Sequence, residues 1–239
     1  MNRETTNKIR FILEDLLPPI LRDSVLFKWV AKAAWGNHIV ALAEFRKNAP
    51  FLTEEEYEDL YRNHPRVHDL TDNSEACIQR IAEEVVGRSI LDVGCGTGFL
   101  LRQIMEIRND TFDRVMGTDL IVPEEQTGIE LVPAKIEKLP FSDGEFDTVI
   151  CTHVIEHILN YRQAIEELRR VCRKKLIIVV PREREYRYTF NPHFNFFPYP
   201  ESFLRAMQPV PEDYKCLDIG RDIFYCETGA QPGGSHGYS

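Results

Sequence analysis

At 239 residues and 43% hydrophobic content, the chain can bury one sizeable core and leaves roughly 70 residues for caps and lids. Net charge is −9, yet residues 1–50 hold eight Lys/Arg against five Asp/Glu, so the other 189 residues carry −12. A segment that acidic disfavours nucleic acid, whose phosphates call for a basic face, and points to small molecules. Six cysteines without a CxxC spacing argue against a zinc site and a disulfide frame. No apolar run approaches the ~20 residues that span a bilayer and no signal-peptide pattern precedes the first charges, so a cytoplasmic protein, at most peripheral to a membrane, is expected.

The chain opens on an amphipathic pattern in which Ile9, Ile12, Leu13, Leu16 and Leu17 share one helical face, stopped by Pro18-Pro19. A second helix is expected over Ile20–Trp35 with Gly36 as its C-terminal cap. Two readings of this stretch stay open. Its apolar stripe packs as a helical cap on the domain that follows, or residues 9–35, with two tryptophans and interspersed cations, lie on a membrane surface. Thr53-Glu54-Glu55-Glu56 reads as an N-cap and acidic first turn of a short helix to Tyr61, and His64–Asn73 reads as a linker.

Elements then alternate as a doubly wound α/β sheet requires: a helix Ser74–Val86, strands Ser89–Val93, Arg114–Asp119, Ile129–Val132, Thr148–Cys151 and Leu176–Val180, and helices Phe99–Ile107 and Arg162–Cys172. An aromatic segment follows Pro181, then a short helix Glu201–Met207 and two strand-like runs, Tyr214–Ile219 and Asp222–Glu227, with Gly220-Arg221 as a turn. Residues 229–239, rich in Gly and Ser, read as a flexible tail.

The most informative segment is Asp92-Val93-Gly94-Cys95-Gly96-Thr97-Gly98. An apolar strand ends on an acid and then on alternating glycines, and Phe99, Leu100, Leu101, Ile104 and Met105 continue at helical spacing. Glycine at every second position lets the backbone turn tightly and approach a ligand, and the helix N-terminus behind it favours an anionic group. A dinucleotide loop needs a third glycine where this chain has Phe99, which disfavours a nicotinamide cofactor and an oxidoreductase.

Asp-x-Gly-x-Gly-x-Gly resembles the first motif of the class I S-adenosylmethionine (SAM)-dependent methyltransferases, and the resemblance runs from about residue 74 to about residue 182. It implies a Rossmann-like seven-stranded sheet with a terminal antiparallel hairpin, SAM as cofactor and transfer of its sulfonium methyl to a nucleophile. It also organises the chain: an N-terminal helical cap over 1–72, and a SAM-binding domain over 73–228 in which 182–207 is a substrate lid. The cofactor residues it implies are Asp92, Gly94, Cys95, Gly96 and Gly98 in the loop, Asp119 for the ribose hydroxyls and Leu120 for the adenine face. In the adenine loop, Lys135 stands where an acid is usual, so the Ile136 backbone and Glu137 take that role. Thr152 and His157, from Cys151-Thr152-His153-Val154-Ile155-Glu156-His157 after the fourth strand, complete the pocket.

His153 is the first candidate for a general base, because imidazole titrates near neutrality where a hydroxyl acceptor gives up its proton; packing on substrate or cofactor is the alternative. His153, Glu156 and His157 have i, i+3, i+4 spacing, but no carboxylate leads the set, so structural hydrogen bonding is expected and no metal. Tyr186–Pro200 holds seven aromatic residues in fifteen positions, with Arg187, Tyr188 and His193 as polar groups; His193 is a second catalytic candidate. Such a segment suits a sugar, aromatic or isoprenoid-like acceptor, or else forms a hydrophobic plug under the N-terminal helices. An oxygen atom of a small molecule is the expected methyl acceptor.

Overall fold

The computed structural model describes residues 16–37, 42, 46–53, 55–57, 59, 71–109, 111–122, 129–188 and 191–229. The chain divides into two compact units, Met1–His64 with Glu183–Pro198, and Pro65–Arg182 with Tyr199–Ser239.

The larger unit holds α3 (Glu75–Glu84), β1 (Ser89–Val93), α4 (Phe99–Arg108), β2 (Arg114–Asp119), β3 (Glu130–Pro133), β4 (Phe146–Thr152), α5 (Tyr161–Val171), β5 (Cys172–Pro181), α6 (Pro200–Ala206), β6 (Tyr214–Ile219) and β7 (Asp222–Thr228). They form one seven-stranded sheet in the order β3-β2-β1-β4-β5-β7-β6. The first five strands are parallel, and β7 enters antiparallel between β5 and β6. This is the expected doubly wound Rossmann-like fold with its terminal hairpin. Because β7 runs backwards, its first residue, Asp222, pairs with Pro181 at the carboxyl end of β5.

Both faces of the sheet are covered, which is why its central strands read as unbroken apolar runs. Ile81 of α3, Leu101 and Ile104 of α4 and Ile90, Ile150, Ile177 and Phe224 from the strands form one buried cluster. Tyr225 points the other way, as the period of two requires, and meets Phe203 of α6 edge to face at 5.8 Å. On that same face, Arg169 of α5 grips Glu227 through two bonds of 2.7 and 2.8 Å.

Several boundaries differ from the sequence reading for local reasons. β5 begins at Cys172 rather than Leu176, directly after α5, and Cys172 is its first residue instead of the helix's last. The charged Arg173 and Lys174 hid this extension; their side chains reach Asp147, at 2.6 and 3.0 Å. Phe146 and Asp147 likewise belong to β4, and β3 is shifted by one residue to Glu130–Pro133. Gly229, expected at the start of the tail, donates to Lys174 O at 2.8 Å and closes the sheet; residues 230–239 lie outside the described residues.

In the smaller unit the expected helix Ile20–Trp35 is two helices, α1 (Pro19–Arg22) and α2 (Val25–Trp35). Ser24 is extended, and its Oγ accepts from Phe27 N at 3.1 Å; an N-cap inside the apolar stretch restarts the helix. Gly36 ends α2 at φ 80°, as anticipated. Thr53 and Glu56 form a reciprocal cap, with Thr53 N donating to Glu56 Oε2 at 2.8 Å and Glu56 N to Thr53 Oγ1. Tyr188 packs with Phe27 and Ala31, and the Arg22 guanidinium lies 4.1 Å from the Phe27 ring and 5.0 Å from that of Tyr186. The expected helix over residues 9–17 lies outside the described residues except for Leu16 and Leu17.

Asp147 organises the amino edge of the sheet. Its buried carboxylate accepts from Arg88 N at 2.8 Å and from the Arg173 guanidinium at 2.6 and 2.9 Å. Burial alone raises its pKa, but these bonds and the nearby cations outweigh it and hold the carboxyl well below the usual range. A depressed carboxylate contributes stability above its unfolded value of about 3.9 and loses it as pH falls toward the folded value. Asp147→Ala is expected to lower unfolding free energy by about 2 kcal/mol at neutral pH, a difference that shrinks below about pH 4; urea melts of both proteins at pH 7 and pH 3.5 measure it.

Candidate functional site

The parallel strands place Val93, Asp119, Thr152 and Pro181 along one carboxyl edge, and antiparallel β7 adds Asp222. This is the edge at which open α/β sheets bind ligands, where strand order reverses between β1 and β4.

The glycine loop is fastened to β2. Gly94 N and Cys95 N both donate to Thr118 O, at 2.7 and 3.0 Å, and Gly96 N donates to Asp119 Oδ2 at 2.8 Å. Gly94 has φ 81°, and a Cβ there would stand 2.1 Å from Val154 Cγ2, so a side chain is excluded twice over. Gly117 on β2 is as constrained, because a Cβ would come within 2.6 Å of Cys95 Sγ. Cys95 is therefore buried packing beneath the loop, and all six cysteines are thiols. Gly98, left-handed at φ 72°, is the N-cap of α4 and supplies no side-chain cap, which leaves the first-turn N–H groups of the helix to a ligand.

Asp92 is 2% exposed, and its Oδ1 has no hydrogen-bond partner among the described residues. Burial, with the Asp119 charge second, pushes its carboxyl up to about 7. A buried acid with an orphaned oxygen is costly unless a partner arrives, and an ammonium or sulfonium cation is the partner it fits. Asp119 stands at the end of β2 with Leu120 half-buried beside it.

The adenine-loop candidates fold into a tight turn, with Ala134 N on Asp119 O at 3.0 Å and Lys138 N on Lys135 O at 3.1 Å. Ile136 is buried, so the backbone is what it can offer a ring; Glu137 is half-buried and its carbonyl accepts from Gln163 at 3.0 Å. Thr152 Oγ1 accepts from the buried Asn73 at 2.9 Å. Asn73 was read as linker, and its position just before the N-cap Ser74 was the available signal.

His153 follows β4 directly. It is left-handed at φ 55°, an unusual conformation for a side chain with a Cβ, and its N–H donates to Val179 O at 2.9 Å. That backbone turns the imidazole, 13% exposed, between two buried acids: Nδ1 is 3.5 Å from Glu156 Oε1 and Nε2 is 3.7 Å from Asp222 Oδ1. Burial by itself lowers the imidazole pKa, but Glu156, then Asp222 and Asp72, outweigh it and the net shift is upward. Ile155–His157 is a 3-10 turn, with His157 N on Val154 O at 2.9 Å. Asp222 was read only as a strand start.

His193 belongs to the smaller unit. It is buried, with Nδ1 2.7 Å from the buried Glu183 carboxylate, and the Glu183 backbone N–H donates to Phe197 O at 3.2 Å. Of the other polar groups in its segment, Tyr188 is buried and Arg187 is exposed.

A doubly wound sheet whose first strand ends on a buried acid and a glycine cradle, with a second acid at the end of the next strand, defines a nucleoside-cofactor domain of the methyltransferase kind. Residues 91–180 match the methyltransferase-domain family. A Mycolicibacterium smegmatis protein named a probable S-adenosylmethionine-dependent methyltransferase is 28% identical over 152 residues, 61% of this chain and 52% of that protein. A ubiquinone/menaquinone biosynthesis C-methyltransferase of Stutzerimonas stutzeri is 32% identical over 36% of this chain and 38% of its own length. Among solved structures, a Pyrococcus horikoshii protein superposes with TM-score 0.52 at 19% identity, covering 72% of this chain and 99% of that one, a likeness of fold. The chain spans about half the length, or less, of the curated relatives it matches. Residues 91–180 therefore carry a methyltransferase domain of the class I SAM-dependent kind, whose cofactor is S-adenosylmethionine.

The site's residues fit that cofactor: Asp92 and the α4 N-terminus suit the methionine end, and Asp119 suits the ribose hydroxyls. Asp119→Ala is expected to weaken binding of S-adenosylhomocysteine by about 2 kcal/mol, near thirtyfold in Kd, by calorimetry. Because the ammonium of that ligand favours ionised Asp92, affinity should fall from pH 8 to pH 6. Asp92→Asn should bind more weakly at pH 8 and show a flatter dependence, and an unchanged slope would remove Asp92 from the ligand.

Proposed function

We propose that the protein transfers the methyl group of SAM to an oxygen of a small-molecule acceptor, and that His153 takes the acceptor's proton. The observation that carries this is the imidazole set between Glu156 and Asp222 at the same sheet edge as Asp92 and Asp119. SAM supplies an activated methyl, which moves to the acceptor oxygen as the carbon–sulfur electron pair stays on sulfur. His153 Nε2, buried and without a hydrogen-bond partner among the described residues, receives the hydroxyl proton. Glu156 and Asp222 stabilise the imidazolium that forms, which is the same physical effect that raises its pKa. Much of the rate enhancement comes from holding acceptor and sulfonium in line, with the base supplying a further factor of roughly 10²–10⁴.

For the acceptor, the aromatic segment Tyr186–Pro200 supports a flat or amphiphilic molecule, such as an aromatic or isoprenoid metabolite or a glycan-pathway intermediate. The relative named for ubiquinone/menaquinone biosynthesis transfers its methyl to carbon and matches about a third of the chain, so it supports the transfer chemistry rather than the acceptor atom.

His193 is the second reading for the base. The observation behind it is the buried imidazole held against Glu183, with Nδ1 2.7 Å from the carboxylate.

The test follows radiolabelled methyl transfer across a panel of hydroxylated aromatic, isoprenoid and sugar acceptors. With an acceptor in hand, the pH profile of kcat/KM is expected to rise through a pKa above the usual 6.5 of histidine. His153→Ala should lower kcat by roughly 10²-fold or more with S-adenosylhomocysteine affinity kept, and Glu156→Gln should move the limb to lower pH. Loss of the limb in His193→Ala but not in His153→Ala would transfer the role to His193. Retained cofactor binding with no transfer to any acceptor class would favour a noncatalytic SAM-binding protein.

A further inference from the structure

The two apolar stripes of α2 have different fates. Phe27 and Ala31 are buried against Tyr188, whereas Val25, Leu26, Trp29 and Val30 on the opposite side are 62, 69, 65 and 55% exposed. Positions 25, 26, 29, 30 and 33 fall within one arc of a 3.6-residue helix, so these side chains and Ala33 make one continuous apolar face. Ile20 on α1, before the Asp23-Ser24 break, is 81% exposed, and Leu16 and Leu21 are exposed as well. Soluble surfaces carry single exposed apolar residues routinely, but a run of seven within fifteen positions marks a face that meets something.

The charges decide what it meets. No acidic residue lies on α2, and its two cations, Lys28 and Lys32, stand one turn apart along a single border of the apolar arc. Lys32 Nζ lies 5.9 Å from the ring of Trp29, the large aromatic within that arc. Asp23, just before the N-cap of α2, accepts from Arg187 N at 2.7 Å, and Glu185 is paired with Arg46 at 2.8 Å, so both acids are engaged elsewhere in this unit rather than turned against the lysines. A second copy docked two-fold on this face would set lysine against lysine. An anionic lipid surface instead gives the lysines phosphate partners, puts the tryptophan at headgroup depth and takes the aliphatic side chains below it.

We propose that α1 and α2 seat the protein on an anionic membrane surface, lying in its plane without crossing it. No helix among the described residues is long and apolar enough to cross a membrane. The attachment is independent of the methyl-transfer reading and can fail or hold separately from it.

Flotation of the full chain with phosphatidylcholine vesicles, with and without phosphatidylglycerol, tests this. The protein is expected to float with the anionic vesicles and to be released by high salt. The double variant Leu26→Ser with Trp29→Ser, both exposed sites, should lose about tenfold of the bound fraction while binding S-adenosylhomocysteine as the parent does. Lys28→Glu with Lys32→Glu should abolish the preference for anionic vesicles. The proposal is overturned if the parent stays unbound with both vesicle types, or if the Leu26/Trp29 variant floats like the parent. It is equally overturned if the parent instead forms a dimer in solution that this variant dissociates.

Discussion

A carboxylate held in the middle of a hydrophobic sheet is the constraint on which the site depends. Asp92 lies in register with Gly117 of β2 and Ile150 of β4, in the most enclosed part of the fold, and Asp119 is close enough to oppose its ionisation. The fold tolerates this because the surrounding parts are held for other reasons. Thr118 O fixes two loop N–H groups, Gly117 lets the loop lie flat on β2, and Val154 leaves no room for anything but glycine at position 94. A rigid cradle around an acid whose Oδ1 lacks a hydrogen-bond partner among the described residues is complementary to a cation carried by a ligand, and binding that cation offsets the cost of burying the charge.

The two ends of the sheet differ in how their charges are satisfied. At the amino edge Asp147 is closed off by Arg88 N and Arg173, and Glu84 by Arg80 and Lys215. At the carboxyl edge Asp92 Oδ1 and His153 Nε2 are buried and lack hydrogen-bond partners among the described residues. Stability is concentrated where pairs are complete, and chemistry where they are not, which is how an α/β sheet separates the two demands. The left-handed backbone at His153 belongs to the same edge, a local strain retained where it aims an imidazole between two acids.

The central strands were legible because they are covered on both faces, so Ser89–Val93 and Arg114–Asp119 could be bounded from local pattern, whereas the largely exposed edge strand Tyr214–Ile219 was bounded by the Gly220-Arg221 turn after it. Boundaries failed where a neighbour in space overrode that pattern. The Cys172–Lys175 segment becomes strand because Asp147 takes its cations, and the N-terminal apolar stretch divides because Ser24 caps a new helix. Apolar spacing on α2 showed a helix but not which stripe would be buried, since both are apolar and only the position of Tyr188 distinguishes them.

The sequence by itself determined the glycine loop, because conformational demand and residue type coincide there in contiguous residues: glycines with positive φ, an acid at the strand end and a helix behind them. The tertiary structure alone decided the surroundings of His153. Asp222 reaches the imidazole only because β7 runs antiparallel into a parallel sheet, bringing the start of the last strand to the carboxyl edge 69 residues from His153. Local periodicity carries no information about such pairings, since strand order and direction are set by how distant segments bury one another.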